Sequence, residues 1–472
     1  MWKYTPASHL PSIDSIEAIG LDTETYDPDL IDGGPGWGRN WGNLVGISIS
    51  VLGGKAYYFP LGHIVESHDN MPKEEIYKYL QELFLKPIPK VGLNLIYDVG
   101  WLMHEGFDIV GPFYDVGFAE ALLDPNAFSY SLDTIAKKYL GQTKETDELY
   151  KWCADKYRGK PDSKQRANIY RSPPRLVGPY AEADAHLPLQ ILFKQQILLD
   201  LYGLEELFKM EGELIPLLVK MRLRGIPVDL MKANEARDEL FLAEEIYRGQ
   251  LKDIAGFSVN VNSSKDLAKF FDARGLSYPL TEKGNPSFTK PWLNSQHTRE
   301  AKLITDVRKV QKARSSFIEN AVIEKAINNR IYPSLHPLRS EDGGTITGRF
   351  SSSKPNSQQL PARDEDIAPI IRGIFVPEDG YSSWLKMDYS QIEYRFFAHY
   401  SNDERLIQAY KDDPNTDYHK LIQEEFLDNL LPRKPVKNMN FAILYAAGPD
   451  KVAEMLRSTL TEEQVDELLK IL

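Results

Sequence analysis

The sequence predicts an α/β domain over residues 1–200 followed by a mostly helical remainder. Three observations carry this. Short β-branched and aromatic runs bounded by turn residues fill 15–60, and amphipathic helical periodicity takes over from residue 73. A late loop rich in Gly, Ser, Pro and Asn, 342–361, then precedes a second strand-to-helix pattern. In order, 16–21, 44–51 and 56–59 read as strands, with a Gly/Pro-rich loop at 33–42. Residues 73–85, 115–123, 131–140 and 180–201 read as helices, and 90–95 as one more strand. The stretch 203–330 is mostly helical with charged faces, and 383–389 is strand-like and leads into a helix.

Composition sets bounds. A chain of 472 residues, 42% hydrophobic and 11% aromatic, buries sizeable cores and suggests about three domains. With 56 basic against 68 acidic residues the net charge is −12, so any nucleic-acid contact rests on local basic clusters. Cys153 is the only cysteine, which excludes an internal disulfide and a cysteine-rich zinc site, and makes the cytoplasm the expected location. No segment reads as membrane-spanning, as a signal peptide or as a transit peptide.

The first chemical signal is a set of acids. Asp22 and Glu24 stand two apart at the end of a predicted strand, so both carboxylates project from one face. Asp98 follows the strand 90–95 in Asn94-Leu95-Ile96-Tyr97-Asp98. Tyr180 and Asp184 are four apart and share a helix face. Four converging carboxylates repel one another unless two divalent cations neutralise them, one activating water and the other stabilising the leaving oxygen of a phosphodiester. This ordered set resembles the three exonuclease motifs of the proofreading domain of bacterial DNA polymerase I, in the tyrosine-containing class. The resemblance implies a ribonuclease H-like fold over 1–200 that degrades DNA from a single-stranded 3′ end with Mg²⁺, or Mn²⁺. Asp22, Glu24 and Asp184 would ligate two metals, Asp98 would hold the second through water, and Tyr180 would orient the attacking water.

The second signal lies downstream. Met221-Arg222-Leu223-Arg224-Gly225 closes a helix and turns into an extended segment. The loop Thr347-Gly348-Arg349-Phe350-Ser351-Ser352 with Pro355-Asn356-Ser357-Gln358 offers an arginine and small hydrogen-bonding groups suited to a minor groove and its phosphates. Asp388-Tyr389-Ser390-Gln391-Ile392-Glu393-Tyr394-Arg395 then resembles motif A of family A DNA polymerases, with Tyr394 where leucine is common. Arg433, Lys437, Phe441 and Tyr445 recur every four residues on one predicted helix face. Two cations can hold a triphosphate there, and an aromatic on the next turn can stack on a base. The pattern resembles the fingers helix of that family. Pro435 falls in its first turn, and Ala442 and Ala446 stand where glycine is usual.

The resemblance implies a partial right hand: the start of the polymerase domain and thumb over 201–330, palm over 331–412, fingers over 413–472. Asp388 and the Tyr389 carbonyl would bind two Mg²⁺ ions. Gln391, Glu393, His419, Arg433, Lys437, Phe441 and Tyr445 would face the incoming deoxynucleotide, Glu393 as the gate against a ribose 2′-OH. Arg314, Ser315, Arg349, Asn356 and Gln358 would contact primer-template DNA.

One expected element is missing. The family carries a second essential aspartate in a His-Asp-Glu hairpin beyond the fingers, and here the only His-Asp pair is His68-Asp69, within the nuclease domain. Little synthesis is therefore expected from this chain alone, and an open palm edge or apolar surface is expected. Three readings stay open: half of a split polymerase completed by a second polypeptide, a truncated sequence, or a stand-alone 3′→5′ exonuclease with a primer-binding remnant. A non-catalytic DNA-binding protein is a fourth. With no 5′-nuclease domain and no long insertion in the thumb interval, the pattern points to a phage-type or compact bacterial enzyme without an evident docking loop for a processivity partner.

Overall fold

The computed structural model describes residues 2–471 apart from 426, 428, 458 and 459. It divides into two compact units, Met1–Ser382 and Ser383–Leu472. The first is built on a five-stranded sheet of β1 (Ile19–Tyr26), β2 (Asn43–Val51), β3 (Ala56–Pro60), β4 (Lys90–Gly92) and β5 (Phe113–Asp115), in the order β3-β2-β1-β4-β5. β2 pairs antiparallel with both β1 and β3, whereas β4 pairs parallel with β1 and β5 parallel with β4. Pairing on β1 starts at Ile19, because β2 supplies partners from Val51 back to Asn43. The strand expected at 16–21 is thus displaced, and Asp22 and Glu24 lie inside β1 rather than past its end.

Alternation along β1 sorts its side chains. Ile19 and Leu21 enter a core with Ile47, Ile49 and Phe59 of the sheet, and with the helices Lys73–Leu85, Leu95–His104 and Glu205–Arg224. Each such fully buried aliphatic side chain contributes about 1.5–3 kcal/mol. The opposite face receives the helix Pro174–Tyr202. Gly20 permits this: a Cβ there would lie 1.8 Å from the Ala185 carbonyl oxygen, so only glycine lets helix backbone rest on the strand. The strand expected at 90–95 stops at Gly92. Asn94 turns through the left-handed region (φ 61°), and the Asp115 carboxylate accepts the Leu95 N–H at 2.8 Å to start the helix Leu95–His104.

The helix Glu205–Arg224 ends at Gly225 (φ 65°), and Ile226–Pro227 pairs with Arg330–Ile331, as the helix stop followed by extended chain required. Arg222 is buried with no carboxylate ion-pair partner among the described residues. Its guanidinium donates to the carbonyls of Tyr332, Gly33 (3.1 Å) and Pro35 (2.9 Å) and to Ser334 Oγ (2.7 Å), and lies over Trp37. It thereby joins the loop after β1 to the segment following Arg330–Ile331. Burial pulls its pKa down to about 9. The long helix Leu230–Ala255 packs on Arg299–Lys312, which continues into a π-helical stretch, Ala313–Ile323. Cys153 is buried, with Sγ 3.1 Å from Ser172 Oγ.

The second unit is helical: Ile392–Ser401, Glu404–Asp412, Tyr418–Glu425, Arg433–Leu444, Pro449–Leu456 and Glu462–Ile471. Leu431, Val436, Met439, Val452, Leu456, Val465 and Leu468 form its core. The strand expected at 383–389 does not form. Its residues are irregular, and among the described residues no neighbouring strand pairs with them, so their N–H and C=O groups are left to solvent. Trp384, Leu385, Met387 and Tyr389 are exposed in consequence. No helix among the described residues is long and apolar enough to cross a membrane.

Candidate functional site

Strand alternation places Asp22 and Glu24 on the same face as Gly20, where the helix Pro174–Tyr202 brings in Tyr180 and Asp184. Ligand oxygens of Asp22, Glu24 and Asp184 lie within 4.8 Å of one another. Among the described residues this is the one cluster of three or more acids or histidines with metal-binding spacing. Glu24 and Asp184 are buried, and the donor set is entirely carboxylate oxygen, which suits a hard divalent cation. Asp98 joins from the first turn of Leu95–His104, a helix that begins where the strand was expected to end. Its Oδ1 accepts the Thr23 N–H (2.9 Å) and the Thr23 hydroxyl (2.7 Å).

Electrostatics make the site's deficit plain. Loss of water, followed by repulsion from Asp184, raises the Asp22 pKa well above the usual range and that of Glu24 to about 8. Burial raises Asp98 to about 7 despite the Thr23 hydrogen bonds. One ammonium offsets this charge at close range. Lys144 Nζ donates to both Asp184 oxygens at 2.7 and 2.8 Å and to the Tyr180 hydroxyl at 3.1 Å. Arg166 donates to the Tyr150 hydroxyl beside them at 3.3 Å. Sequence reasoning did not find Lys144, Arg166 or the Thr23 contacts, because each acts through a residue distant in sequence that no local spacing reveals. Asn94 donates to Asp342 at 3.1 Å, and the neighbouring Glu341 accepts from Ser129 and the Tyr130 N–H, so the 341–342 turn sits against the exonuclease motif.

The residues expected at the polymerase site are less gathered. Asp388 and Tyr389 lie in the irregular segment, Tyr389 82% exposed. Gln391 heads the helix Ile392–Ser401, and its amide donates to the Thr416 carbonyl (2.8 Å) and accepts the Tyr418 N–H (3.0 Å), tying the motif to the entry of Tyr418–Glu425. Glu393 lies in the first turn of that helix. Tyr394 is buried, stacks on Tyr418 at 4.3 Å and packs against His419 and Phe441. Its hydroxyl finds no partner among the described residues. His419 is buried with Nδ1 3.3 Å from Asn440 Nδ2, and desolvation lowers its pKa.

Arg433, Lys437 and Phe441 do share the helix Arg433–Leu444, with the Lys437 ammonium 5.9 Å from the Phe441 ring. Pro435 sits in its first turn. The helix ends at Leu444, so Tyr445 falls one residue beyond it instead of on the stripe. Ala446 then adopts φ 57°, a left-handed conformation that accounts for glycine at such a position. Arg433 pairs with Asp417. In the first unit, the Arg314 guanidinium is engaged by Glu244 (3.0 Å) and Glu319 (2.7 Å), and Ser315 Oγ donates to the Gln311 carbonyl. Arg349 lies exposed in the 342–361 loop, Asn356 caps a short turn by accepting the Gln358 N–H, and Gln358 Nε2 donates to the Phe350 carbonyl.

Comparison with known proteins fits these two regions. Residues 8–198 match a 3′-5′ exonuclease family and residues 232–470 match DNA polymerase family A. A DNA-directed DNA polymerase of Pseudomonas phage M6 is 31% identical over 484 residues, spanning 96% of this chain and 71% of the relative. DNA polymerase DpoZ of Acinetobacter phage SH-Ab 15497 is 30% identical over 441 residues, spanning 88% and 70%. DNA polymerase I of Pseudomonas aeruginosa is 28% identical over 481 residues, spanning 96% and 49%. The fold is similar to that of the POL domain of Pol1 from M. smegmatis, solved with DNA primer-template and dNTP, with a TM-score of 0.76 at 20% identity over 100% of this chain and 75% of that one. A second polypeptide finds no support in these relatives. With an exonuclease match over the sheet domain and a polymerase match over half of its length, the chain belongs to DNA polymerase family A and is a DNA-directed DNA polymerase with a 3′→5′ exonuclease domain.

Proposed function

We propose that Asp22, Glu24 and Asp184 hold two magnesium ions, or manganese, in a proofreading site that removes nucleotides from the 3′ end of DNA. The observation that carries this is the all-oxygen cluster within 4.8 Å, in which burial and mutual repulsion raise the pKa of Asp22 and Glu24 so that a cation would compensate them. Bound divalent cations polarise the scissile phosphodiester and lower the pKa of water. Asp98, fixed by Thr23, supports the ligands from the neighbouring helix. Tyr180, held in place by its packing against Tyr150, presents its hydroxyl beside Asp184 to orient the attacking water.

In the polymerase half, Asp388 and the Tyr389 carbonyl serve the metals of synthesis. Glu393, Arg433, Lys437, Phe441 and Tyr445 receive the deoxynucleotide, with Gln391 and His419 shaping their surroundings. Arg314, Ser315, Arg349, Asn356 and Gln358 attend the primer-template, the partner held by the M. smegmatis Pol1 domain. We assign 1–200 to the exonuclease, 201–330 to the polymerase start and thumb, 331–412 to palm and 413–472 to fingers, and place the protein's work in the cytoplasm of a bacterium or phage-infected cell. The test is a gel assay of the chain on a 5′-labelled primer-template with Mg²⁺, with and without the four deoxynucleotides. Primer shortening that Asp22→Ala abolishes is expected, and equal degradation by wild type and Asp22→Ala overturns the exonuclease assignment. Primer extension, or its absence, decides whether this chain synthesises alone.

A further inference from the structure

We propose that Lys144 is a displaceable counter-cation of the exonuclease site, holding Asp184 when no metal is present and releasing it when a divalent cation binds. The proposal rests on the reading of Asp22, Glu24 and Asp184 as metal ligands. An ammonium has three donors, and the three contacts of Nζ are the two Asp184 oxygens, at 2.7 and 2.8 Å, and the Tyr180 hydroxyl at 3.1 Å. The same nitrogen lies 4.2 Å from the centre of the Tyr180 ring. The Lys144 and Asp184 side chains are 4% and 9% exposed, so this is a buried contact rather than a surface pairing. Both oxygens through which Asp184 would ligate a metal are therefore already engaged by a cation.

The lysine's attachment permits withdrawal. It sits in the irregular stretch 141–146, between the helices Leu132–Leu140 and Asp147–Tyr157, and Gly141 opens that stretch at φ 69° with nothing within 4 Å of where a Cβ would be. Asp184 and Tyr180, by contrast, are fixed on a 29-residue helix seated on β1. A metal arriving at Asp184 thus meets a like charge that can leave, and ligands that stay. The lysine offsets part of the repulsion among the acids in the metal-free protein, and it sets a threshold of metal concentration below which Asp184 is not released.

The experiment titrates Mn²⁺ alone into the full chain and follows free Mn²⁺ by electron paramagnetic resonance, for wild type, Lys144→Gln, Lys144→Arg and Asp184→Asn. Removing an opposing unit charge at this range is expected to tighten Mn²⁺ binding about tenfold or more in Lys144→Gln, while Lys144→Arg stays near wild type. Unchanged or weaker binding by Lys144→Gln overturns the proposal. Acylation of the Lys144 amine in the wild-type chain, read by mass spectrometry, should rise on adding Mn²⁺; labelling that stays constant or falls overturns it without relying on any variant. If Asp184→Asn binds Mn²⁺ as wild type does, the ligand reading itself falls.

Discussion

Around Asp22 the fold assembles a strand, a helix laid on Gly20, a second helix carrying Asp98 and the ammonium of Lys144; Asp388 lies in irregular chain. Both aspartates were expected at strand ends, and the octet around Asp388 is the stronger signal in sequence. The difference lies in who supplies the neighbours. The strand of Asp22 is central in its sheet, with Ser48 opposite it and β4 on the other side, whereas among the described residues nothing pairs with 383–389. A catalytic carboxylate is thus only as well placed as the hydrogen-bond ladder beneath it.

The largest effect that could break this comparison is catalytic. Asp184→Ala or Glu24→Ala should lower degradation of a labelled single strand by more than about a hundredfold, beyond the 10–100-fold typical of residues one shell out from a metal. Asp388→Ala should leave that rate unchanged. Next comes stability. Arg222→Met leaves three buried carbonyls and a serine hydroxyl without their donor and should destabilise the first unit by about 2–4 kcal/mol, read from urea unfolding.

The third is a pH dependence confined to the metal-free exonuclease site. Carboxylates whose pKa is raised in the folded state favour folding at low pH, and that contribution is lost as pH climbs through the folded value. With Glu24 at about 8 and Asp98 at about 7, and with Asp22, Asp184, Lys144 and Arg166 facing them, the melting temperature in chelator should fall between about pH 5 and pH 8. Glu24→Gln, or saturating Mn²⁺, should flatten that slope. The smallest effect is in the second unit. Ala446→Gly should relieve a left-handed alanine and stabilise the end of the Arg433–Leu444 helix by about 1 kcal/mol. The check is slower amide hydrogen exchange in that helix.

Much of the exonuclease site was legible because its acids sit on regular elements. Two-residue spacing on a strand and four-residue spacing on a helix fix which side chains share a face, and Asp22/Glu24 and Tyr180/Asp184 obeyed both. Asp98 was expected only to follow a strand running to 95, because Leu95–His104 is apolar nearly all round and shows no amphipathic period to distinguish its start from a strand. The 383–389 run has a strand's alternation, but alternation reports a face and not a partner. The helix was expected to carry Tyr445 but stops at Leu444, because four-residue spacing says nothing of where a helix ends. Lys144 was invisible, since its meaning lies in a contact with a residue 40 positions away.

The lone thiol at Cys153 has a practical consequence. It is buried against Ser172, and burial raises its pKa despite that hydrogen bond and the nearby Arg171, so it is both shielded and protonated at neutral pH. The native chain is therefore a ready background for thiol-directed fluorophores. Cysteines introduced at the exposed positions Phe128 and Tyr400, one in each unit, would take dyes selectively. Energy transfer between them, measured with and without primer-template DNA, would then read out the label-to-label distance directly.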